Sequence, residues 1–366
     1  MSKRQINNHI RDSIDVIKKH QSDNGAYVAC PNFNTYNYCW LRDGSFIAYA
    51  MDVSGEHASS AAFLSWCNKA IMSMEKSVEE LLEALEDGAF VEQSKYPPAR
   101  FNLDGSLEGS DWPNFQLDGY GTWLWALTQH MELTGKKEIP REYLDSVLLV
   151  VKYLKKCWGH ECYDCWEEHG DKVHPSTLAC IYGGLKAVSP YLNDPSIDNT
   201  VDAIRLYITS YCMHDGALVK YMGSDQVDSS LLWLSVPFEV FAPTSSVMED
   251  TVKRIEHDLT HDCGVHRYQK DTYYGGGEWL LLSAWLGWHY TMCGRLDDAI
   301  LQRDWVESQV DDEGHMTEQV LNHVNKPEKI AEWQALWGQV ANPLLWSHAM
   351  YLVLANAIES LGKSLR

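Results

Sequence analysis

Three carboxylates set beside aromatic rings have the residue types and spacing for acid–base chemistry. Glu167 and Glu168 are adjacent in Cys165-Trp166-Glu167-Glu168, and Glu318 stands much later, in Met316-Thr317-Glu318-Gln319. Cleavage of a glycosidic bond asks for two such groups, one protonated to help the leaving oxygen depart and one ionised to act as nucleophile or to activate water. Repulsion between Glu167 and Glu168, with partial burial beside Trp166, is expected to raise the pKa of one of them. Each residue alone also fits a solvated surface position. Their company gives them weight. Trp, Tyr, Arg and further carboxylates concentrate in YNYCWLRDG at 36–44, DGSLEGSDWPNFQLDGYG at 104–121, YDCWEEHGDKVHP at 163–175, HDGALVKYMGSDQVD at 214–228, HRYQKDTYYGGGEW at 266–279 and GHMTEQV at 314–320. Ring faces stack on the C–H surfaces of sugars while ionised groups fix hydroxyls, so such stretches suit a carbohydrate cleft.

The elements that must position these stretches are helices. Apolar residues recur at helical spacing, as in Ile6, Ile10, Ile14 and Ile17, then near 43–54, 57–72, 117–134, 141–157, 175–189, 197–212, 228–236, 247–260, 277–293, 296–309 and 342–361, about twelve segments in all. Stop and start signals separate them: Gly135 after the fourth, Pro140 opening the fifth, Asn193-Asp194-Pro195 before the seventh, Gly294 after the tenth. Even-numbered segments such as TLACIYGGLKAV and EWLLLSAWLGWHY are apolar nearly all round, whereas odd-numbered ones such as IRDSIDVIKK and TVKRIEHDL are amphipathic. Two classes imply two layers. Six inner helices alternating with six outer ones describe an all-α (α/α)6 barrel, a toroid of six hairpins, and no linker divides it, so residues 1–366 are expected to form one domain. Short connections such as Val53-Ser54-Gly55-Glu56 follow the inner helices and the long ones precede them, which places the six stretches around a single rim. Alternating β-branched runs are short and isolated, as at 217–221.

Composition narrows the partners. With 51 Asp plus Glu against 30 Lys plus Arg, a formal charge of -21 repels phosphate backbones and anionic lipid, so nucleic acid and membrane are excluded and neutral ligands or cations favoured. The 15 Trp and 19 Tyr far outnumber the 8 Phe, giving flat faces with a hydrogen-bonding edge, although most must serve the core. The start, MSKRQINNHIRDSIDVIKKH, lacks an export signal, and no window holds the apolar run of a membrane span, so a cytoplasmic setting is expected. The ten Cys then read as reduced, buried thiols. Cys157, His160, Cys162 and Cys165 contain one C-x-x-C with no second at finger spacing, so no zinc is expected there.

In their order, YNYCWLRDG, YDCWEE, HRYQKDTYYGGGEW and MTEQ resemble the signature segments of glycoside hydrolase family 15, which includes glucoamylases, glucodextranases and some trehalases; the resemblance runs from about Tyr36 to His348. It implies the (α/α)6 barrel reached above, with Glu167 as general acid and Glu318 as the general base that activates water. It implies further that Arg42 and Asp43 hold a non-reducing terminal glucose with Tyr36 beside it, and that Arg267 belongs to the same pocket. Glu168 contacts the neighbouring sugar or supports the acid, and Trp40, Trp112, Trp166 and Trp279 form the walls. The implied activity is inverting, exo-acting hydrolysis of terminal α-glucosidic bonds in short isomalto- or malto-oligosaccharides, releasing β-glucose without metal or organic cofactor. The same carboxylates would serve a trehalase, and a silent glucan-binding module is the alternative outside the enzymes. The β-sandwich and starch-binding domains of some relatives have no counterpart, which points to short imported sugars, with an α-1,6-linked disaccharide suiting this size and compartment. Segments 104–121 and 321–340 lack secure counterparts and are expected to shape the acceptor side. Linkage and oligomeric state stay open.

Overall fold

A computed structural model describes residues 3–365 of the chain, with side chains from residue 8 onward. The helices are α1 (Lys3–Lys19), α2 (Leu41–Val53), α3 (His57–Met72), α4 (Glu75–Glu86), α5 (Asp118–Leu133), α6 (Arg141–Cys157), α7 (Pro175–Val188), α8 (Pro195–Tyr211), α9 (Ser246–Asp258), α10 (Leu280–Met292), α11 (Leu296–Ser308), α12 (Ile330–Trp337) and α13 (Leu345–Ser364). A 3-10 helix, Ser229–Leu234, stands where the eighth segment was expected. The side chain of Ile6 lies outside the described residues, while Ile17 is fully buried and Ile10 and Ile14 pack against the core.

The apolar pattern explains the two layers. Every residue of α10 from Leu280 to Thr291, and of α13 from Leu345 to Ala355, is buried, so these helices can only be interior. The inner ring runs α2, α5, α7, the 3-10 helix, α10 and α13, each against the next, and closes where α13 meets α2. On the outside α1 packs on α13, α3 on α2, α6 on α5, α8 on α7, α9 on the 3-10 helix and α11 on α10. This is the (α/α)6 barrel. Its middle is filled rather than hollow: Phe46 of α2 meets Trp125, Trp233, Phe238, Trp285 and Trp346 at ring-centroid distances of 5.5–6.3 Å. Many of the tryptophans are therefore core residues, with offset and tilted rings of the kind aromatic quadrupoles favour.

Three features depart from the expected pattern. The eighth segment winds only as a 3-10 turn because Pro237 offers no N–H and biases the residue before it away from helix. Helix α4 was not anticipated, although Val78, Leu81, Leu82 and Leu85 supply an i, i+3, i+4, i+7 stripe that docks on α6. Helix α12 lies inside segment 321–340. Four small antiparallel strand pairs also tie the loops together: Cys39–Trp40 with Arg100–Phe101, Met213–His214 with Ala217–Leu218, Thr260–His261 with Gly264–Val265, and Glu278–Trp279 with Gln319–Val320.

Helices α5 and α7 approach most closely through glycines. A Cβ at Gly121 would overlap the Cys180 carbonyl, and one at Gly184 would overlap the Gly121 carbonyl, so neither backbone could stay in place. Gly184→Ala is therefore expected to cost about 1–3 kcal/mol through forced separation of the two helices. A thermal melt followed by circular dichroism reads the loss, and an unchanged Tm would show that the contact is not tight.

Candidate active site

A cavity of about 340 Å³ opens at the rim formed by the N-terminal ends of the inner helices, and all eleven residues singled out in the sequence line it. Arg42 and Asp43 occupy the first turn of α2, Tyr36 ends the 3-10 turn Asn34–Tyr36, and Trp40 and Trp279 each sit in a strand pair just before an inner helix. Pairing of Trp279 with Gln319 sets Glu318 beside that wall.

Glu167 and Glu168 are presented by a tight turn. The Asp164 carboxylate accepts the backbone N–H of Trp166 (3.0 Å) and of Glu168 (2.9 Å), while the Asp164 carbonyl accepts that of Glu167 (2.9 Å). Glu167 is left at φ +67°, a left-handed conformation that a non-glycine residue holds only when its surroundings impose it. The Glu167 side chain is just as constrained: Oε1 accepts the indole N–H of Trp40 (2.8 Å), that of Trp112 (2.9 Å) and the amide of Gln116 (3.1 Å). With one oxygen given to three donors, a proton on this carboxyl belongs on Oε2. Trp112 is itself clamped by Arg100, whose guanidinium lies 3.7 Å from its ring centre and 4.2 Å from that of Tyr38 and bonds Glu108 and Ser110.

Beneath the turn, buried Lys220 donates to Asp228 (2.6 Å) and lies 3.3 Å from Asp164, and Asp228 also accepts the Trp166 indole N–H (3.1 Å). Although burial pushes the Asp164 carboxyl up, Lys220 holds it below the ordinary value. Glu168 accepts the Tyr268 hydroxyl (2.6 Å) and an Arg267 N–H (3.4 Å). Burial raises the Glu168 pKa despite Arg267, and the like charge that adds to the rise is Asp164, which corrects the expectation of a Glu167–Glu168 repulsion.

On the same cavity lining Glu318 is 2% exposed, and its Oε2 has no hydrogen-bond partner in the protein. Burial pushes its carboxyl up to about 8, against the pull of Arg267 and the hydroxyls of Tyr36 and Tyr273. Those hydroxyls pair with each other at 2.9 Å. Arg267 is fixed by a two-pronged bond to Asp271 (2.8 and 2.5 Å). Arg42 reaches Gln116 (2.8 Å) and Asp118 (3.1 Å) and lies 3.1 Å from Asp43, whose carboxyl burial raises to about 6 despite the arginine. Arg42 Nε, Trp279 Nε1, Trp346 Nε1 and Glu318 Oε2, on residues that line the cavity, are buried without hydrogen-bond partners in the protein, and Asp43 Oδ2 has the Arg42 guanidinium 3.1 Å away.

Sequence reasoning missed Tyr273, Trp333, Trp337 and Trp346, all of which line the cavity, and Gln116, which joins Arg42 to Glu167. Trp333 and Trp337 stand four apart on α12, so both face one way; Trp112 stacks on Trp337 at 6.3 Å and Tyr273 packs on Trp333 at 5.0 Å. Segment 321–340 thus does form a wall, and the signal was this Trp spacing. Cys157, His160, Cys162 and Cys165 do not bring ligand atoms together among the described residues: His160 Nδ1 pairs with the Tyr96 hydroxyl at 3.1 Å, and the three cysteines are buried free thiols. Among the described residues no helix is long and apolar enough to cross a membrane.

A family model described as glycosyl hydrolases family 15 matches residues 7–336. The chain is 41% identical over 356 residues to an isomaltose glucohydrolase of Kribbella flavida, covering 95% of this chain and 92% of that one. A solved glycosidase variant in complex with glucose superposes with a TM-score of 0.94 at 39% identity, covering 98% of this chain and 99% of that one. A glucoamylase from Saccharomycopsis fibuligera shares the fold alone, with a TM-score of 0.73 at 13% identity over 98% of this chain and 95% of that one.

Glu318 makes stability depend on pH. Its folded pKa of about 8 lies above the ordinary 4.5, so between these values the folded chain holds a proton that the unfolded chain releases. Its contribution is therefore fully favourable below pH 4.5 and is lost as pH rises through about 8, at up to roughly 1.4 kcal/mol per unit. Gln cannot ionise, so the Tm advantage of Glu318→Gln over wild type should grow from pH 5 to pH 8 and then level off. Parallel Tm curves for the two proteins in scanning calorimetry would count against this burial.

Proposed function

The chain belongs to glycosyl hydrolases family 15, and from that premise we propose that it is an inverting, exo-acting glucosidase that removes terminal glucose from short α-linked oligosaccharides. Glycoside hydrolysis itself follows from the family and the similarity over nearly the whole chain. The observation that carries the finer reading is that two carboxyls from separate loops, Glu167 and Glu318, line one small cavity walled by tryptophans, tyrosines and two arginines.

In this reading Glu167 donates its Oε2 proton to the departing glycosidic oxygen while Trp40, Trp112 and Gln116 hold the other oxygen still. Positive charge grows on the sugar, and Glu318, ionised before the step, takes a proton from the water that attacks. Burial pushes the Glu318 carboxyl up to about 8, so the ionised fraction able to act as base rises as pH approaches that value. The Arg42–Asp43 pair, on the cavity lining, combines donors and an acceptor of the kind that hold a terminal hexose. The cavity lies at the small end of ligand pockets, consistent with a neutral disaccharide or slightly longer chain, and the relative that acts on isomaltose supports an α-1,6 linkage. The chemistry calls for no metal or organic cofactor, and short neutral substrates fit a cytoplasmic enzyme.

One observation favours a second reading. The raised pKa of Glu318 and the three donors on Glu167 would equally suit the reverse assignment, with Glu318 as acid and Glu167 as base. α-Glucosyl fluoride decides between them, because fluoride leaves without acid help.

Proton NMR should show the glucose newly cut from isomaltotriose appearing as the β anomer, and among isomaltose, maltose and trehalose the first should be turned over fastest; α-glucose as the first monosaccharide released from isomaltotriose would end the inverting mechanism. Glu167→Gln and Glu318→Gln should each lose about 10²–10⁴ in kcat on the disaccharide. Glu167→Gln should keep most of its activity on the fluoride, whereas Glu318→Gln should not. The opposite outcome on the fluoride would exchange the two roles.

A further inference from the structure

The outer side of the wall that carries Glu318 brings two imidazoles together. We propose that His261, Asp262 and His323 form a divalent-cation site of the zinc class that staples the start of segment 321–340 to the hairpin 260–265. The inference concerns exposed residues outside the cavity lining and does not rest on the hydrolase reading. Each of the three residues brings a ligand atom within 4.8 Å of the other two. The rings of His261 and His323 lie only 3.6 Å apart between centroids. Imidazole nitrogen is the commonest protein ligand for such a metal.

A buried carboxylate orients one of the two rings. His323 Nδ1 lies 3.0 Å from Glu278 Oε1, and the Glu278 side chain is 1% exposed while His323 is 45% exposed. With Nδ1–H donating to that carboxylate, the lone pair is on Nε2, free for a cation. A carboxylate behind a histidine is the arrangement that fixes the tautomer and raises the basicity of a metal-binding imidazole. Glu278 has little freedom, because the Gly264 backbone sits so close that a Cβ there would overlap the carboxyl group. Two imidazoles and a carboxylate suit zinc, nickel or copper better than calcium or magnesium, and three protein donors leave a fourth position for water. The other candidate group, Asp52 with His57 and His130, is already satisfied internally: Asp52 accepts both Nδ1 atoms and the Ser60 hydroxyl, within 2.6–3.0 Å. His261 has no such tie to His323 or Glu278, and a cation would supply it.

The consequence reaches the cavity. Segment 321–340 leads from the strand paired with Trp279 to α12, whose Trp333 and Trp337 form the aromatic wall. A cation at its root would fix the segment that faces the departing sugar.

Calorimetric titration of the full, untagged chain with zinc chloride, in the absence of sugar, tests the site. One saturable event per chain is expected, weakened at least tenfold in His261→Ala and in His323→Ala and about 10–100-fold in Glu278→Gln. The two histidines are about half exposed, so their double substitution leaves the fold intact even if Glu278→Gln does not. Zinc should also slow proteolytic cleavage within 321–340 in the wild type and leave the double variant unaffected. Failure to saturate, or equal affinity in wild type and double variant, would overturn the proposal, and neither result bears on glucose release.

Discussion

A buried cluster of three charges, Lys220 between Asp164 and Asp228, sets the geometry on which the site depends. One cation shared by two anions, all 1–3% exposed, survives burial only because each carboxylate also collects hydrogen bonds from the chain it organises. Asp164 takes two backbone N–H groups of the turn that presents Glu167 and Glu168, and Asp228 takes the indole of Trp166 between them. The left-handed backbone at Glu167 is sustained by this arrangement, since nothing local would favour it. The charges are there to make a particular turn the only satisfied one, more than to add stability.

From that turn the constraints pass outward through rings. Glu167 is held by Trp40 and Trp112, Trp112 is held by Arg100 and by Trp337, and Trp337 belongs to α12. Indoles suit this use because each offers a broad apolar body for packing and one directional donor for the carboxylate. The wall that carries Glu318 works by exclusion instead. Glu318 has arginine and two phenols nearby, yet burial outweighs them, and the result is a carboxyl that ionises less readily than an exposed one. The two acids therefore differ in kind: one is steadied by donors, the other primed by desolvation.

Much of this was legible in the sequence, for identifiable reasons. The alternation of all-apolar and amphipathic segments could be read because the interior of the barrel is filled, so an inner helix has no polar side to show. Glu167, Glu168 and Glu318 stood out because they lie in connections crowded with Trp, Tyr and Arg, and the other eight site residues were named through the resemblance of the segments around them to a family's signature segments. Trp346 was hidden for the converse reason: it lies in a helix that is apolar all round, and nothing distinguishes its ring from Trp285, which belongs to the core. Tyr273 and Gln116 act through partners far away in the chain, Tyr36 in one case and Arg42 in the other, and such pairings leave no local mark. The eighth segment reads as apolar, but a proline at its end decided its form.

Closure of the inner ring between α13 and α2 carries a consequence for biogenesis. The first inner helix leaves the ribosome well before the sixth, so the nascent chain must carry five largely apolar inner elements before α13 can cover them. Until then the face of Phe46 that Trp346 will cover stays open, and the rim has no complete floor. Ordering of the pocket thereby waits for a contact between helices nearly the whole barrel apart in the chain, the kind of long-range closure that slows folding.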